Sequence, residues 1–596
     1  MLPPAPLDLL RAELARRNLD ACILPNTDPH QSEYLAPHWQ GISWLSGFTG
    51  SAATLAVTAS FAGLWTDSRY FIQAARELAG SGVTLMKLRV PHTPEFIEWL
   101  CTELPAGARV GIDGRLFALP RYRELEQRLQ AAGMHLEDAG DLLAPVWQER
   151  PGLPLQPVYS VEALLPGPPR AARLESVRSQ MAARNLDWHL LAAVDDIAWV
   201  FNLRGSDVPF NPVFLAFALI GRSSATLFLH PEQVTHALKA ELAAAGVTLA
   251  HYTRLPEVLG SLARGSQLLL DPATTSIALR RAIPEGVTVQ TDASLPAQAK
   301  VRKGPEALAA IRQAMVRDGI AWVQMLCWLE SALRSGQPVT EYSLAQQLET
   351  FRSADPSYRG PSFPSIVGYG PQGAIVHYRP EAEHAAQILP EGLLLIDAGG
   401  QYLHGTTDMT RTWALGEPSP VQQTHYTLVL KGMIALSRAV FPAAARGVHL
   451  DVLARQFLWQ EGLNYGHGTG HGVGFFLCVH ESPPGISPAA SGPAQAPLEP
   501  GMVLSNEPGL YLEGQYGIRI ENLIAVQPWP QAPESGFLAF ETLSLCPIDL
   551  RLLDLARLTD DERGWLNAYH QRVLDALSPG LAPAEQAWLH ARCAHI

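Results

Sequence analysis

Five side chains in the C-terminal half of the sequence constrain its fold more than any other feature. Asp397 closes the apolar run Leu393-Leu394-Leu395-Ile396, as a buried strand would that ends on a carboxylate. Asp408 follows within Thr406-Thr407-Asp408-Met409-Thr410-Arg411-Thr412. His471 lies in Gly466-His467-Gly468-Thr469-Gly470-His471-Gly472-Val473-Gly474, Glu507 in Ser505-Asn506-Glu507-Pro508-Gly509, and Glu521 in Arg519-Ile520-Glu521-Asn522. An ionised carboxylate at a buried strand end is costly unless it is paired or binds metal. Four acids aimed at one place repel one another, and a dinuclear metal centre resolves that repulsion. Oxygen-rich donors with one imidazole suit Mn²⁺, Mg²⁺ or Co²⁺ better than a structural zinc site, which prefers sulfur and nitrogen.

Each signal is ordinary by itself. An Asp at a strand end is commonly a turn cap, and Glu507 before a proline reads as a loop residue. Ile518 and Ile520 alternate with Arg519 and Glu521, so Glu521 shares a strand face with Arg519 and has an ion-pair partner there. The glycine run reads equally as a flexible loop; it has no following Lys-Ser/Thr and no dinucleotide-binding spacing. His467 and His471 lack the intervening Glu of a zincin helix. In isolation His377 and His480 are ordinary core histidines. The joint presence of these residues, in this order, carries the weight.

The rest of the chain supplies a frame. A length of 596 residues allows three or four domains. A faint repeat links Ala15-Arg16-Arg17-Asn18-Leu19-Asp20 to Ala182-Ala183-Arg184-Asn185-Leu186-Asp187, each read as a helix, a turn and a strand. Each copy is followed by an Ile-x-Trp stretch, at Ile42-Ser43-Trp44 and Ile197-Ala198-Trp199, with an insertion in the first copy. Six prolines between 151 and 169 mark a linker. After Lys303-Gly304-Pro305 a helix begins, with Leu308, Ile311, Met315 and Val316 as its stripe, and Trp322 and Trp328 read as core. Thr406 to Trp413 reads as the strand partner of 393–397. Six prolines between 483 and 500 read as a surface insertion loop. The limits are therefore 1–155, 156–300 and 301–596, the last with a helical extension from about 547. The net charge of −13 argues against a nucleic-acid binder. No cysteine pair has metal-ligand spacing, no apolar run reaches the ~18 residues of a membrane helix, and the N-terminus has no signal-peptide core. The expected location is the cytoplasm.

These motifs resemble those of the pita-bread metallopeptidases, and most nearly the Xaa-Pro aminopeptidases in their long, three-domain cytosolic form. The resembling segments are Ile375-Val376-His377-Tyr378, Ile396 to Tyr402, Thr406-Thr407-Asp408, the glycine-histidine run, Val479-His480-Glu481 and the Glu507 and Glu521 segments. Trp65 to Phe71, Asn202 to Asp207 and the tail from Leu558 to His570 extend the likeness over nearly the whole chain. The resemblance implies an α/β (α+β) protein: two related creatinase-like N-terminal domains, then a pita-bread catalytic domain. It implies two divalent metal ions per subunit, manganese foremost. Asp397, Asp408, His471, Glu507 and Glu521 would be the ligands, with Asp408 and Glu521 bridging.

By the same resemblance His377, His467 and His480 line the pocket, orient the scissile carbonyl and shuttle protons, with Glu507 accepting the proton of water. Arg69, His377, His471 and His480 would touch the substrate, Arg69 in its own subunit or in the other subunit of a dimer. The implied reaction is hydrolysis between any N-terminal residue and a penultimate proline, by a hydroxide that bridges the ions. Short peptides are the implied partners, with a homodimer for which the amphipathic tail is a candidate contact, and neither nucleic acid nor membrane. Two rivals stay open. A prolidase-like Xaa-Pro dipeptidase uses the same ligands. A metal-free peptide-binding pita-bread module would have lost some of them.

Overall fold

The computed structural model describes residues 5–89, 93–489 and 491–596. Residues 1–4, part of the N-terminal stretch read above, and Ala490 of the proline-rich stretch lie outside the described residues. The chain divides into two compact units, one of residues 1–163 with 168–298, the other of 164–167 with 299–596.

The first unit is built from two lobes of one design. One carries a six-stranded sheet ordered 84–87, 62–66, 54–58, 21–25, 109–112, 135–138. The other carries a six-stranded sheet ordered 247–251, 225–229, 217–221, 188–191, 267–270, 288–291. Parallel and antiparallel pairings succeed one another identically across the two sheets. The sequence repeat falls at the matching point of each. The helices Pro6–Arg16 and Arg170–Ala183 end, and Asn18 and Asn185 turn the chain at φ 54°, a left-handed conformation that asparagine tolerates. Asp20 and Asp187 then accept the backbone N–H of Arg109 at 2.8 Å and of Gln267 at 2.9 Å, tying the central strand to its parallel neighbour. The first copy's insertion is the segment 26–40, with the short Pro37–Trp39 turn. Both lobes contribute to one core, where Ile112, Phe117 and Leu125 join Leu190, Leu268 and Ile277.

The second unit opens with the helix Pro305–Arg334, Pro305 in its first turn. Ile311, Met315 and Trp322 are buried on it, while Leu308, Val316 and Trp328 are half-buried at the edge of the core. Asp397 is the last residue of a strand, His471 lies within one, Glu507 directly follows one, and Asp408 and Glu521 stand between strands. Leu393–Asp397 runs between Ile366–Tyr369 and Thr410–Ala414 in an antiparallel sheet, with Asp397 opposite Thr410. A six-stranded sheet follows the order 440–442, 537–542, 522–528, 503–506, 470–472, 481–486. Gly509–Leu512 and Tyr516–Arg519 form a separate hairpin.

Several local expectations are corrected. The partner of 393–397 is Thr410–Ala414; Gly405–Thr406 instead pairs with Gly400–Tyr402 in another sheet. Arg519 and Glu521 do not share a strand: one ends at Arg519 and the next begins at Asn522, so the guanidinium turns to Asp397. The proline-rich segment is not a surface loop throughout. Its start belongs to the edge strand Glu481–Ile486, and Ile486 and Leu498 are buried. Pro483 and Pro484 fall where the register shifts between Gly485 and Glu481, so their missing N–H groups leave no ladder bond unmade. The tail forms helices Asp560–Leu577 and Pro583–Arg592. Leu566, Tyr569, Val573 and Leu577 are buried in the unit's own core, which removes the stripe's argument for a dimer contact.

Candidate metal centre

Among the described residues, Asp408, His471 and Glu521 offer donor atoms that all lie within 4.8 Å of one another. His471 Nε2 stands 3.4 Å from Asp408 Oδ2 and 3.4 Å from Glu507 Oε1. Its Nδ1 is 3.0 Å from the Gly472 carbonyl; donation there leaves Nε2 as the nitrogen that faces the carboxylates. The strand Gly470–Gly472 sets that direction, because the Ser505 hydroxyl accepts the His471 backbone N–H at 2.9 Å and donates to Glu507 at 3.1 Å. A Cβ at Gly470 would run into the carbonyl oxygen of Ser505, so that approach needs glycine.

Asp397 and Glu521 are each anchored by one oxygen. Asp397 Oδ2 accepts from Arg519 at 2.6 Å, and Glu521 Oε2 from the Thr410 hydroxyl at 2.7 Å. Their other oxygens, Asp397 Oδ1 and Glu521 Oε1, are buried without a hydrogen-bond partner among the described residues. Burial pushes Asp397 up to about 6, against Arg519 and with the help of Asp408. Burial likewise pushes Glu507 up to about 7, with His471 pulling down and Asp408 pushing up. Glu521 is carried well above the carboxylate range by burial, then by Asp408, Asp397 and Glu507. For His471 burial opposes the charged ring, but the hydrogen bond to Asp408 and the charge of Glu507 raise it to about 9. Crowded acids with orphaned oxygens and one imidazole fit hard divalent cations.

The other expected residues are placed as follows. His467 Nε2 meets the Tyr511 hydroxyl at 2.8 Å, which accepts from Arg519 at 2.6 Å, so His467 is linked through two side chains to Asp397. His480 stands edge-on to His471, ring centroids 4.3 Å apart at 89°. His377 is half-buried and follows Val376, whose carbonyl accepts from Arg519 at 3.3 Å. Arg69 lies in the first unit, paired with Asp67 at 2.8 Å.

Sequence reading missed Tyr511, Thr410 and Ser505 as parts of this site. Tyr511 has no local signal. It reaches Arg519 because the hairpin pairs Gly509 with Arg519, and a side chain at Gly509 would lie 2.6 Å from the Tyr511 hydroxyl.

Buried guanidinium groups hold the backbone behind these side chains. Arg352, paired with Asp318 at 2.7 Å, donates to the Ala398 and Gly399 carbonyls at 3.1 and 2.9 Å, directly after Asp397. Arg455, paired with Asp451 at 2.7 Å, donates to the Tyr465 and His467 carbonyls at 2.8 and 2.7 Å. Arg411 donates to the Glu521 carbonyl at 2.6 Å.

Behind His480, Glu481 is ion-paired with Lys303, the two side chains only 1 % and 2 % exposed. Burial pulls the Lys303 amine down, and Glu481 pulls it back up. Lys303→Met leaves the Glu481 carboxylate buried without that cation and is expected to destabilise the unit by about 3–5 kcal/mol. Lys303→Met/Glu481→Leu should recover most of it. Urea unfolding of both variants checks this.

The sequence matches known families along most of its length. Residues 309–528 match the model of metallopeptidase family M24, and 536–596 the C-terminal region of that peptidase. Residues 6–146 and 149–306 match two models of the creatinase/prolidase N-terminal domain. A probable Xaa-Pro aminopeptidase P of Tuber melanosporum is 37% identical over 588 residues, 95% of this chain and 94% of that protein. Aminopeptidase P2 of Arabidopsis thaliana is 38% identical over 610 residues, 96% of this chain and 85% of that one. The crystal structure of X-prolyl aminopeptidase from Caenorhabditis elegans, described as a cytosolic enzyme with a di-nuclear active site, superposes with a TM-score of 0.95 at 34% identity, covering 99% of each chain.

Proposed function

The chain belongs to metallopeptidase family M24, in its Xaa-Pro aminopeptidase branch, and we propose on that footing that it removes the N-terminal residue from short peptides with proline second. The observation that carries this reading is the meeting of three acids and one imidazole with donor atoms a few ångströms apart, beside buried carboxylate oxygens that have no hydrogen-bond partner among the described residues.

In this reading Asp397, Asp408, His471, Glu507 and Glu521 would hold two divalent cations, Mn²⁺ by preference, with Asp408 and Glu521 shared between them. Such a pair, when bound, supplies an acidified water and a polarised peptide carbonyl. Glu507 would take the proton of that water and pass it to the leaving proline nitrogen. His480 and His377 donate to the oxyanion that forms on the substrate. His467, tied to Tyr511, keeps the far wall of the pocket in register. His471 also borders the substrate. The carboxylates attract the free α-amino group, which restricts attack to the first peptide bond. Proline offers a tertiary amide with no N–H, so its pocket works by shape. Arg69 keeps the substrate role that the family resemblance implies for it. A cytoplasmic location and a homodimer belong to the same proposal. The worm relative is described as cytosolic, and no helix among the described residues is long and apolar enough to cross a membrane.

Incubating the purified protein with Xaa-Pro-Yaa, Xaa-Pro and Xaa-Ala-Yaa, with and without Mn²⁺, tests the proposal. Release of Xaa from Xaa-Pro-Yaa is the expected result, with Mn²⁺ required and the alanine peptide much slower. Activity confined to the dipeptide would identify a prolidase-like dipeptidase. No turnover and no bound metal would identify a binding module.

A further inference from the structure

The C-terminal region, residues 536–596, has no part in the reaction as described so far. Its helix Asp560–Leu577 nevertheless reaches the metal centre through one side chain. The Tyr569 hydroxyl accepts from the Arg411 guanidinium at 2.8 Å and donates to the Cys546 carbonyl at 2.9 Å. Arg411 is fully buried, and its other bonds run to the carbonyls of Pro547 (3.1 Å), Cys546 (2.9 Å), Thr410 (2.9 Å) and Glu521 (2.6 Å) and to Asn522 Oδ1 (2.8 Å). Arg352 and Arg455 each carry a carboxylate partner; the acceptors of Arg411 among the described residues are all neutral oxygens. A cation buried this way is stable only where its hydrogen bonds are complete. The same guanidinium nitrogen, Nη1, grips both sides of the Thr410–Glu521 contact. There the Thr410 hydroxyl donates to Glu521 Oε2 at 2.7 Å, and the Glu521 N–H donates to the Thr410 carbonyl at 3.1 Å.

We propose that Tyr569 is a positioning residue for the metal centre: it completes the Arg411 fork, and the fork fixes the backbone from which Glu521 presents its free oxygen. The tail region thereby tunes metal affinity as well as covering core. Residues one step behind a ligand commonly change metal affinity about 10–100-fold. Tyr569 lies in a firm setting for such a task. Its ring stacks on Trp565 at 5.3 Å and 4°, and its helix is anchored by the Lys431–Glu562 ion pair at 2.6 Å.

The inference rests on the reading of Glu521 as a ligand, and the experiment separates the two. Mn²⁺ is titrated calorimetrically into the metal-stripped full-length protein, as wild type, Tyr569→Phe, Arg411→Lys and Trp588→Phe. Trp588→Phe breaks a different tail contact, the indole N–H to Glu330 at 2.9 Å. Tyr569→Phe and Arg411→Lys should each weaken Mn²⁺ binding about tenfold, with saturating Mn²⁺ restoring much of the peptidase rate. Trp588→Phe should lower the melting temperature and leave Mn²⁺ affinity within about twofold, outside the range expected of residues behind a ligand. Unchanged affinity in Tyr569→Phe overturns the proposal, as does equal weakening in Trp588→Phe. If one of the first two variants does not fold, the other decides. Wild type that takes up no Mn²⁺ overturns the ligand reading itself, and the proposal with it.

Discussion

Asp408→Ala is expected to remove essentially all peptidase activity, a fall of about 10³-fold or more in kcat/KM, since metal ions contribute several kcal/mol of charge stabilisation in such reactions. Asp408 faces His471 at 3.4 Å and belongs to the tight donor cluster with Glu521. Its charge also raises the proton affinity of Asp397, Glu507 and Glu521. Removing it therefore relieves repulsion in the bare site while destroying the centre. The metal-stripped variant should melt no lower than the metal-stripped parent. Activity assays and thermal melts on the same samples check both halves; an inactive variant that melts far below the parent would count as misfolding, not as loss of a ligand.

Metal removal should have the second-largest effect. Dialysis against a chelator is expected to abolish cleavage of Xaa-Pro-Yaa, and Mn²⁺ to restore it. The stabilisation gained on adding Mn²⁺ should also depend on pH with a definite sign. Asp397 at about 6 and Glu507 at about 7 lie above their ordinary carboxylate values, so the folded bare site binds more protons than the unfolded chain in that window. The bare protein's contribution from these groups is then present at low pH and lost as pH rises through about 6 to 7. His471, raised to about 9, extends the loss in the same direction. Cations compete with those protons, so the Mn²⁺-induced rise in melting temperature should grow from about pH 5.5 to about pH 8. A rise that is constant or shrinks over this range would contradict the assignment of these acids as the binding groups.

What could be read before folding, and what could not, follows from the range of the interactions involved. The apolar run closed by Asp397 is a local pattern, and the strand Leu393–Asp397 does end on that acid. The Asn18/Asn185 and Asp20/Asp187 repeat is local too: a left-handed turn followed by a carboxylate that clamps the next parallel strand. The strand read over 406–413 does pair with 393–397, but it starts only at Thr410, because Gly405 and Thr406 are claimed by Gly400–Tyr402, a pairing no periodicity encodes. The prolines at 483 and 484 suggested a loop, since a register shift that excuses their missing donors appears only once the partner strand is known. Arg519 looked like a partner for Glu521 by proximity in sequence; its real partner, Asp397, is in another sheet. Tyr511 and Tyr569 were silent for the same reason, as each acts through an arginine set by distant packing.

The layout of the Arg411 contacts bears on how the polypeptide emerges during translation. All five proposed ligand residues precede position 522, whereas the hydroxyl that completes the fork comes from Tyr569 and two further acceptors from Cys546 and Pro547. A nascent chain still lacking its last helices therefore possesses every donor but not the brace behind one of them. Cation capture by such a chain is then expected to be weaker than in the finished protein, on the same scale of about tenfold.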